Sequence, residues 1–187
     1  MDLRKLFLTI RVVLFSCRKF WADFRASGSG SGANVLREYS VPVIAMVQLV
    51  KFPVIGVPRQ AMITAIASFL ADMAAVYLLA GGTMRLLDRE NRNDIEEGVT
   101  ALTGFSLTPV WLAEPFFFID GWNWFFAAAA IVYAMVIWRC GFLLLLDRKS
   151  PPGGGALRNS LILLAAVSVA VFLLEKGMLR LFNGFPV

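Results

Sequence analysis

Asp72 is the residue whose type and place most plainly suggest chemistry. It lies about halfway along an apolar stretch, Ala61 to Leu79. An acid at that depth in lipid is costly and is usually functional or paired. Gln48 and Arg139, in two other apolar stretches, are the polar residues that could meet it. Read as function, Asp72 is an ion or proton site; read as structure, it is a polar contact to Gln48 or Arg139. Glu114 and Asp120 flank the run PFFFI. Together they could bind a cation, and as ordinary loop ends they are solvated. Arg139 lies about two turns from a polar loop and can snorkel to the headgroups. Pro42, Pro53, Pro109 and Pro115 fall in or near apolar stretches, where proline kinks a helix and frees a carbonyl. Broken helices line some transporter sites, although kinks also occur in inert bundles.

What is missing narrows the chemistry further. The chain has no histidine, which removes His-ligated haem, HExxH zinc sites, Ser-His-Asp triads and His proton relays. Cys17 and Cys140 are the only cysteines and belong to no CxxC or other ligand cluster. No phosphate-binding glycine loop, nucleophile elbow or paired-carboxylate motif occurs. The expectation is therefore a non-enzymatic protein with no catalytic residues, no metal and no cofactor.

The elements that hold these residues belong in a membrane. Of 187 residues, 58% are hydrophobic and 17% charged, with mean hydropathy +0.70. A soluble domain carries about 25% charged residues, and a chain this apolar has more greasy surface than it can hide in its own interior. The net charge of +5 is then read by position along the spans. Binding to nucleic acid is not expected, because no soluble domain is left to carry a basic face.

The opening residues, LRKLFLTIRVVLFSCRKFWADFR, place Leu3, Leu6, Phe7, Ile10, Val13, Leu14, Cys17, Phe20, Trp21 and Phe24 at helical spacing. Arg4, Lys5, Arg11, Arg18, Lys19 and Arg25 fall mostly off that stripe. A spanning helix would bury Arg11 at a cost of about 2.5–3.5 kcal/mol. The pattern predicts an amphipathic helix over residues 1–25 lying in the headgroup plane. Its aromatic residues would face acyl chains and its Lys and Arg would face anionic inner-leaflet lipid. The alternative is a helix packed on the protein's own loops. No uninterrupted hydrophobic region or cleavage site suggests a signal peptide.

Residues 26–37, beginning ASGSGSGAN, read as a flexible linker. A five-span transmembrane domain is expected over 38–187, with spans near 39–57, 61–80, 99–119, 122–146 and 157–175. Lys51 lies near the far end of the first span, where it can snorkel. Ala67, Ala71 and Ala75 form a small-residue face suited to close helix packing. The charged turn DRENRNDIEE precedes the third span, its acids near the positive end of a helix. Fourteen of the eighteen Lys and Arg fall on the side of the N-terminus, which predicts a cytoplasmic N-terminus and a C-terminus outside. Both cysteines lie on or near the cytoplasmic side, where a structural disulfide is not expected.

Four stretches together carry a resemblance. LFSCRKFWADFR is similar to the short helix before the first span of bacterial members of the Ypt-interacting-protein (Yip) family, through Ser16, Lys19 and Trp21. YSVPVIAMV resembles that family's first span, through Tyr39 and Pro42. GFSLTPVWLAEPFFFI resembles its third, through Ser106, Thr108, Pro109, Trp111 and Leu112, with Phe105 in place of a tyrosine. IVYAMVIWRCGFLLLL resembles the next span, through Tyr133 and Gly141. The loop after span two departs from the family, and the Asp-Leu-Tyr-Gly-Pro-like motif of eukaryotic members is missing. The resemblance implies an all-α, five-span bacterial inner-membrane protein. The GTPase binding of eukaryotic relatives is not carried over, because the cytoplasmic motifs differ.

The functional expectation is a membrane adaptor or accessory subunit that packs against a larger inner-membrane complex or against itself, in contact with the lipid bilayer. The alternative is a transporter or channel for a small solute, ion or lipid that uses Asp72.

Overall fold

The computed structural model describes residues 3–26, 35–87, 92–118, 121–146 and 154–183, all of them helix or turn except Ser16, Gly56 and Val57. Two short helices open the chain, α1 (Leu3–Phe15) and α2 (Cys17–Ala26). A π-helical turn, Leu36–Ser40, leads into α3 (Val41–Ile55), and α4 (Pro58–Leu87) follows after a left-handed Gly56. The next segment is α5 (Arg92–Ser106), α6 (Thr108–Ala113) and a 3₁₀ turn, Glu114–Phe118. Two long helices complete the bundle, α7 (Asn123–Leu146) and α8 (Gly154–Asn183). The expected linker falls largely on residues 27–34, and Asp120 on 119–120; both lie outside the described residues.

Four of these helices are long and apolar enough to cross a membrane: Leu36–Ile55, Pro58–Leu87, Asn123–Leu145 and Gly155–Met178. Helix α4 has 30 residues. At 1.5 Å per residue it exceeds a hydrocarbon core about 30 Å thick. The segment expected as a third continuous span, 99–119, is broken instead. Pro109 lacks the N–H that would reach the carbonyl of Phe105. The chain turns at Leu107, whose carbonyl accepts from Val110 and Trp111 N–H at 2.9 and 3.1 Å. Residues 101–111 are all buried, so the irregular backbone is shielded by protein.

Contacts fix how the segments run. Ser40 lies against Gly104, Tyr39 Oη meets Thr108 Oγ1 at 2.8 Å, and Gln48 meets Glu114. The first apolar helix and the broken segment therefore run side by side in the same direction. Helix α7 runs opposite to the broken segment, with Gly141 against Leu102 and Phe126 stacked on Phe116. Helix α8 is antiparallel to α7: Trp138 Nε1 donates to Ser160 Oγ at 3.1 Å, and Trp124 packs on Phe172.

The opening helices sit on this bundle. Leu6, Ile10, Val13 and Trp21 are buried within the protein. Phe20, Trp21 and Phe24 surround Phe105 with centroids 4.7–5.7 Å away. This corrects the expectation that Trp21 faces acyl chains: its ring is sealed against Gly141 and Leu102. Arg25 Nη1 donates to the Leu144 carbonyl at 2.9 Å, and the Tyr133 hydroxyl donates to the Leu14 carbonyl. Arg4, Lys5, Phe7, Arg11, Arg18 and Lys19 are exposed. The stripe is thus shared, with one part covered by protein and Leu3, Phe7, Leu8 and Phe15 left open.

Gly141 sets how closely α2 can approach α7. A Cβ there would lie 2.5 Å from Leu102 Cδ1 and 2.6 Å from the Trp21 ring. The leucine tip can swing away and the indole cannot. Gly141→Ala is expected to cost about 1–3 kcal/mol through overpacking, read as a lower Tm of the detergent-solubilised protein and faster proteolysis after Arg18. An unchanged Tm and protease pattern would mean that α2 does not dock there.

Candidate functional site

Hydropathy puts the ends of membrane helices near water, yet one set of these ends closes over charge. Lys51 is completely buried on α3, four residues before its end. Its Nζ lies 2.6 Å from Glu114 Oε2 and 2.5 Å from Glu175 Oε1. All three side chains have no exposed surface. Gln48 is one turn earlier on the same face of α3. Its Nε2 donates to Asp72 Oδ2 and to Glu114 Oε2, each at 3.2 Å. The Gln48 amide thereby bridges the Asp72 and Glu114 carboxyls. Four chain segments therefore converge: α3, α4, the 3₁₀ turn and α8.

Each segment has a local reason to present its residue. The Pro109 break and the tight 3₁₀ turn rotate Glu114 inward, where a continuous helix would set a different face. On α8, Ser160, Leu164, Ser168, Val171 and Glu175 recur at three- and four-residue spacing, and all are buried. On α4, Thr64, Ser68, Asp72, Val76, Leu79 and Thr83 do the same. Aromatic rings seal this end: Phe117 packs edge-on to Phe172, and the Phe118 ring centroid lies 5.9 Å from Lys51 Nζ.

The charge does not balance within the chain. Three carboxyl groups face one ammonium, and Gln48 contributes only a dipole. Several acceptors are left over. Gln48 Oε1, Glu114 Oε1 and Glu175 Oε2 are buried with no hydrogen-bond partner. So are the hydroxyls of Ser68 and Thr83 on α4 and of Ser168 on α8. Among the described residues no group of three or more Asp, Glu or Cys is arranged to hold a metal ion.

Other residues singled out from sequence are placed differently. Gln48 and Asp72 meet directly, while Arg139 is exposed on α7 and takes no part in the cluster. Glu114 is not a solvated loop end; it is fully buried. Lys51 does not snorkel, because two acids hold it inside. Glu175 carried no sequence signal beyond being an acid near the end of an apolar run. Ala75 is buried, and Ala67 and Ala71 are half-buried. Of the family-motif residues, Tyr39, Thr108, Pro109 and Trp111 are buried, Pro42 is half-buried and opens α3, and Tyr133 reaches α1. A lateral apolar groove of about 360 Å³ between α3 and α4 is lined by residues such as Leu49, Phe52 and Phe69, with Gln48 at its wall.

No family model, curated protein or solved structure matches the chain. The architecture supports a helical protein with four candidate membrane spans and assigns no family.

Removing one member of a buried ion pair leaves uncompensated charge. Lys51→Met is expected to destabilise the protein by about 3–5 kcal/mol, seen as a large fall in Tm in detergent. Adding Glu114→Gln and Glu175→Gln to that variant should recover much of the loss. A Lys51→Met protein as stable as the wild type would show that the ammonium does not hold these segments together.

Proposed function

We propose that this chain is a proton-conducting membrane transporter whose exchanging group is Asp72. The observation that carries this reading is the surplus of acid in a dry site. An ionised trio around one ammonium carries two uncompensated negative charges, and an isolated charge in a low-dielectric interior is prohibitively costly. The balance must come from outside the chain. Protons fit best, because no group of three or more Asp, Glu or Cys among the described residues is arranged to hold a metal ion, and protonation neutralises a carboxyl that has other carboxyls beside it. Asp72 is the member able to exchange: Glu114 and Glu175 are both held by Lys51, whereas Asp72 rests on the neutral Gln48 amide. The unpartnered hydroxyls of Ser68, Ser168 and Thr83 lie on the same buried stripes and support a hydrated route along α4 and α8.

The broken segment 92–118 serves in this reading as a fifth crossing. It covers the same depth as α3, from Gly104 beside Ser40 to Glu114 beside Gln48. The membrane is a bacterial inner membrane with the N-terminus inside. With Lys51 buried in the bundle, the outer side keeps only Arg59, Lys176 and Arg180 of the eighteen basic residues. The joined motif residues, Tyr39 with Thr108 and Gly141 with Trp21, support a distant relationship to the Yip family. An adaptor role is the second reading, favoured by Ala67 and Ala71, which remain half-exposed on α4 and could seat a partner helix.

Asp72→Asn keeps an acceptor for Gln48 and removes the titrating group. In proteoliposomes carrying an internal pH dye, the wild type should take up protons when a membrane potential is imposed. The D72N variant should keep its Tm and lose that uptake. Equal uptake by both proteins overturns the assignment of Asp72, and an inert wild type that co-purifies stoichiometrically with other membrane subunits favours the adaptor.

A further inference from the structure

The other end of the molecule brings together the only two cysteines, 123 positions apart in sequence. Cys17 opens α2 and Cys140 lies on α7, next to the glycine that seats Trp21. Their sulfurs are 3.4 Å apart, and both are free thiols, half-buried rather than sealed. The approach is built on either side of the pair. Trp21 against Gly141 and Arg25 on the Leu144 carbonyl hold α2 from one side, and Tyr133 on the Leu14 carbonyl holds α1 from the other. Arg18, Lys19 and Arg139 are chain neighbours of the two thiols and are exposed. Partly exposed cysteines in electropositive surroundings are the reactive kind.

We propose that Cys17 and Cys140 form an oxidation site for hydrogen peroxide, closing to an intramolecular disulfide that staples the surface helix to the bundle. The sulfurs need to approach by only about 1.4 Å to reach bonding distance, a shift within reach of side-chain rotation. Either sulfur can begin the reaction, and with Cys17 as the resolving thiol the first to attack is Cys140. Its thiolate forms an S–O bond with the peroxide as the O–O bond breaks, and the departing hydroxide takes a proton to become water. The product is a sulfenic acid on Cys140. Cys17 then loses its proton and attacks that sulfur. The S–S bond forms, the S–O bond breaks, and the second hydroxide leaves as water. Two thiols are oxidised by two electrons, and one peroxide is reduced to two waters. On the cytoplasmic side the resident thiol pool returns the pair to its open form. The proposal does not depend on any role for Asp72.

The test uses the reduced full-length protein in detergent micelles with hydrogen peroxide. Expected is joint loss of both thiols to maleimide labelling. The intact mass should fall by two hydrogens, and a non-reducing gel should show a faster monomer band that dithiothreitol reverses. Cys17→Ser should stop at a sulfenic acid on Cys140 that dimedone traps. Thiols that survive peroxide, that oxidise independently of each other, or that crosslink only between molecules would overturn the proposal.

Discussion

A single buried ammonium organises one end of this bundle. Lys51 has no exposed surface and lies within 2.6 Å of two carboxylates from distant parts of the chain. In water such pairs contribute little. In a dry interior each ion loses several kcal/mol of solvation, and only close contact recovers it. That requirement constrains everything nearby. The end of α3, the 3₁₀ turn and the far part of α8 must be held in register. Water must be kept out, which accounts for Phe117, Phe118, Phe172 and Trp124 gathering around the site.

The broken third segment follows from the same constraint. Hydrocarbon does not tolerate unpaired backbone groups, so irregular chain at that depth must be wrapped by protein. Residues 101–111 are buried without exception. The segment lies between the first apolar helix and α7, and the Tyr39 hydroxyl reaches it at Thr108, just past the break. Without the interruption at Pro109, Glu114 would follow the rotation of one long helix, and its carboxylate would not be directed at Lys51 in the same way.

Hydropathy and helical period made the four long helices readable in advance, because lipid selects for composition along each segment separately. The Asp72–Gln48 contact was also open to inference, since an acid and an amide deep in neighbouring apolar runs have few other partners. Lys51, Glu114 and Glu175 were not. Each lies near the end of an apolar run, where a charge ordinarily meets water, and one-dimensional pattern does not reveal that three such ends close over one another. Trp21 shows the same limit. Periodicity marks an apolar stripe but not whether lipid or protein covers it, and the cradle at Gly141 exists only once α2 and α7 are packed. The third segment misled because its composition suits a span while two prolines decide its path.

The pin and the surplus acid are separable, and the separation bears on function. Lys51 with Glu114 and Glu175 already ties three segments together, and buried pairs of this kind are often replaceable by apolar residues without loss of stability. Asp72 adds nothing to that pin. It brings a further negative charge to a site already rich in them, and its hydrogen-bond donor is a neutral amide that Glu114 shares. A bundle optimised for stability alone would place a leucine or an asparagine there. The hydroxyls of Ser68, Thr83 and Ser168 likewise find no partner within the protein, and the hydrated route proposed above would satisfy them. In the proposed reading, a proton path along α4 and α8 accounts for the extra acid and these hydroxyls together, which a purely structural contact does not.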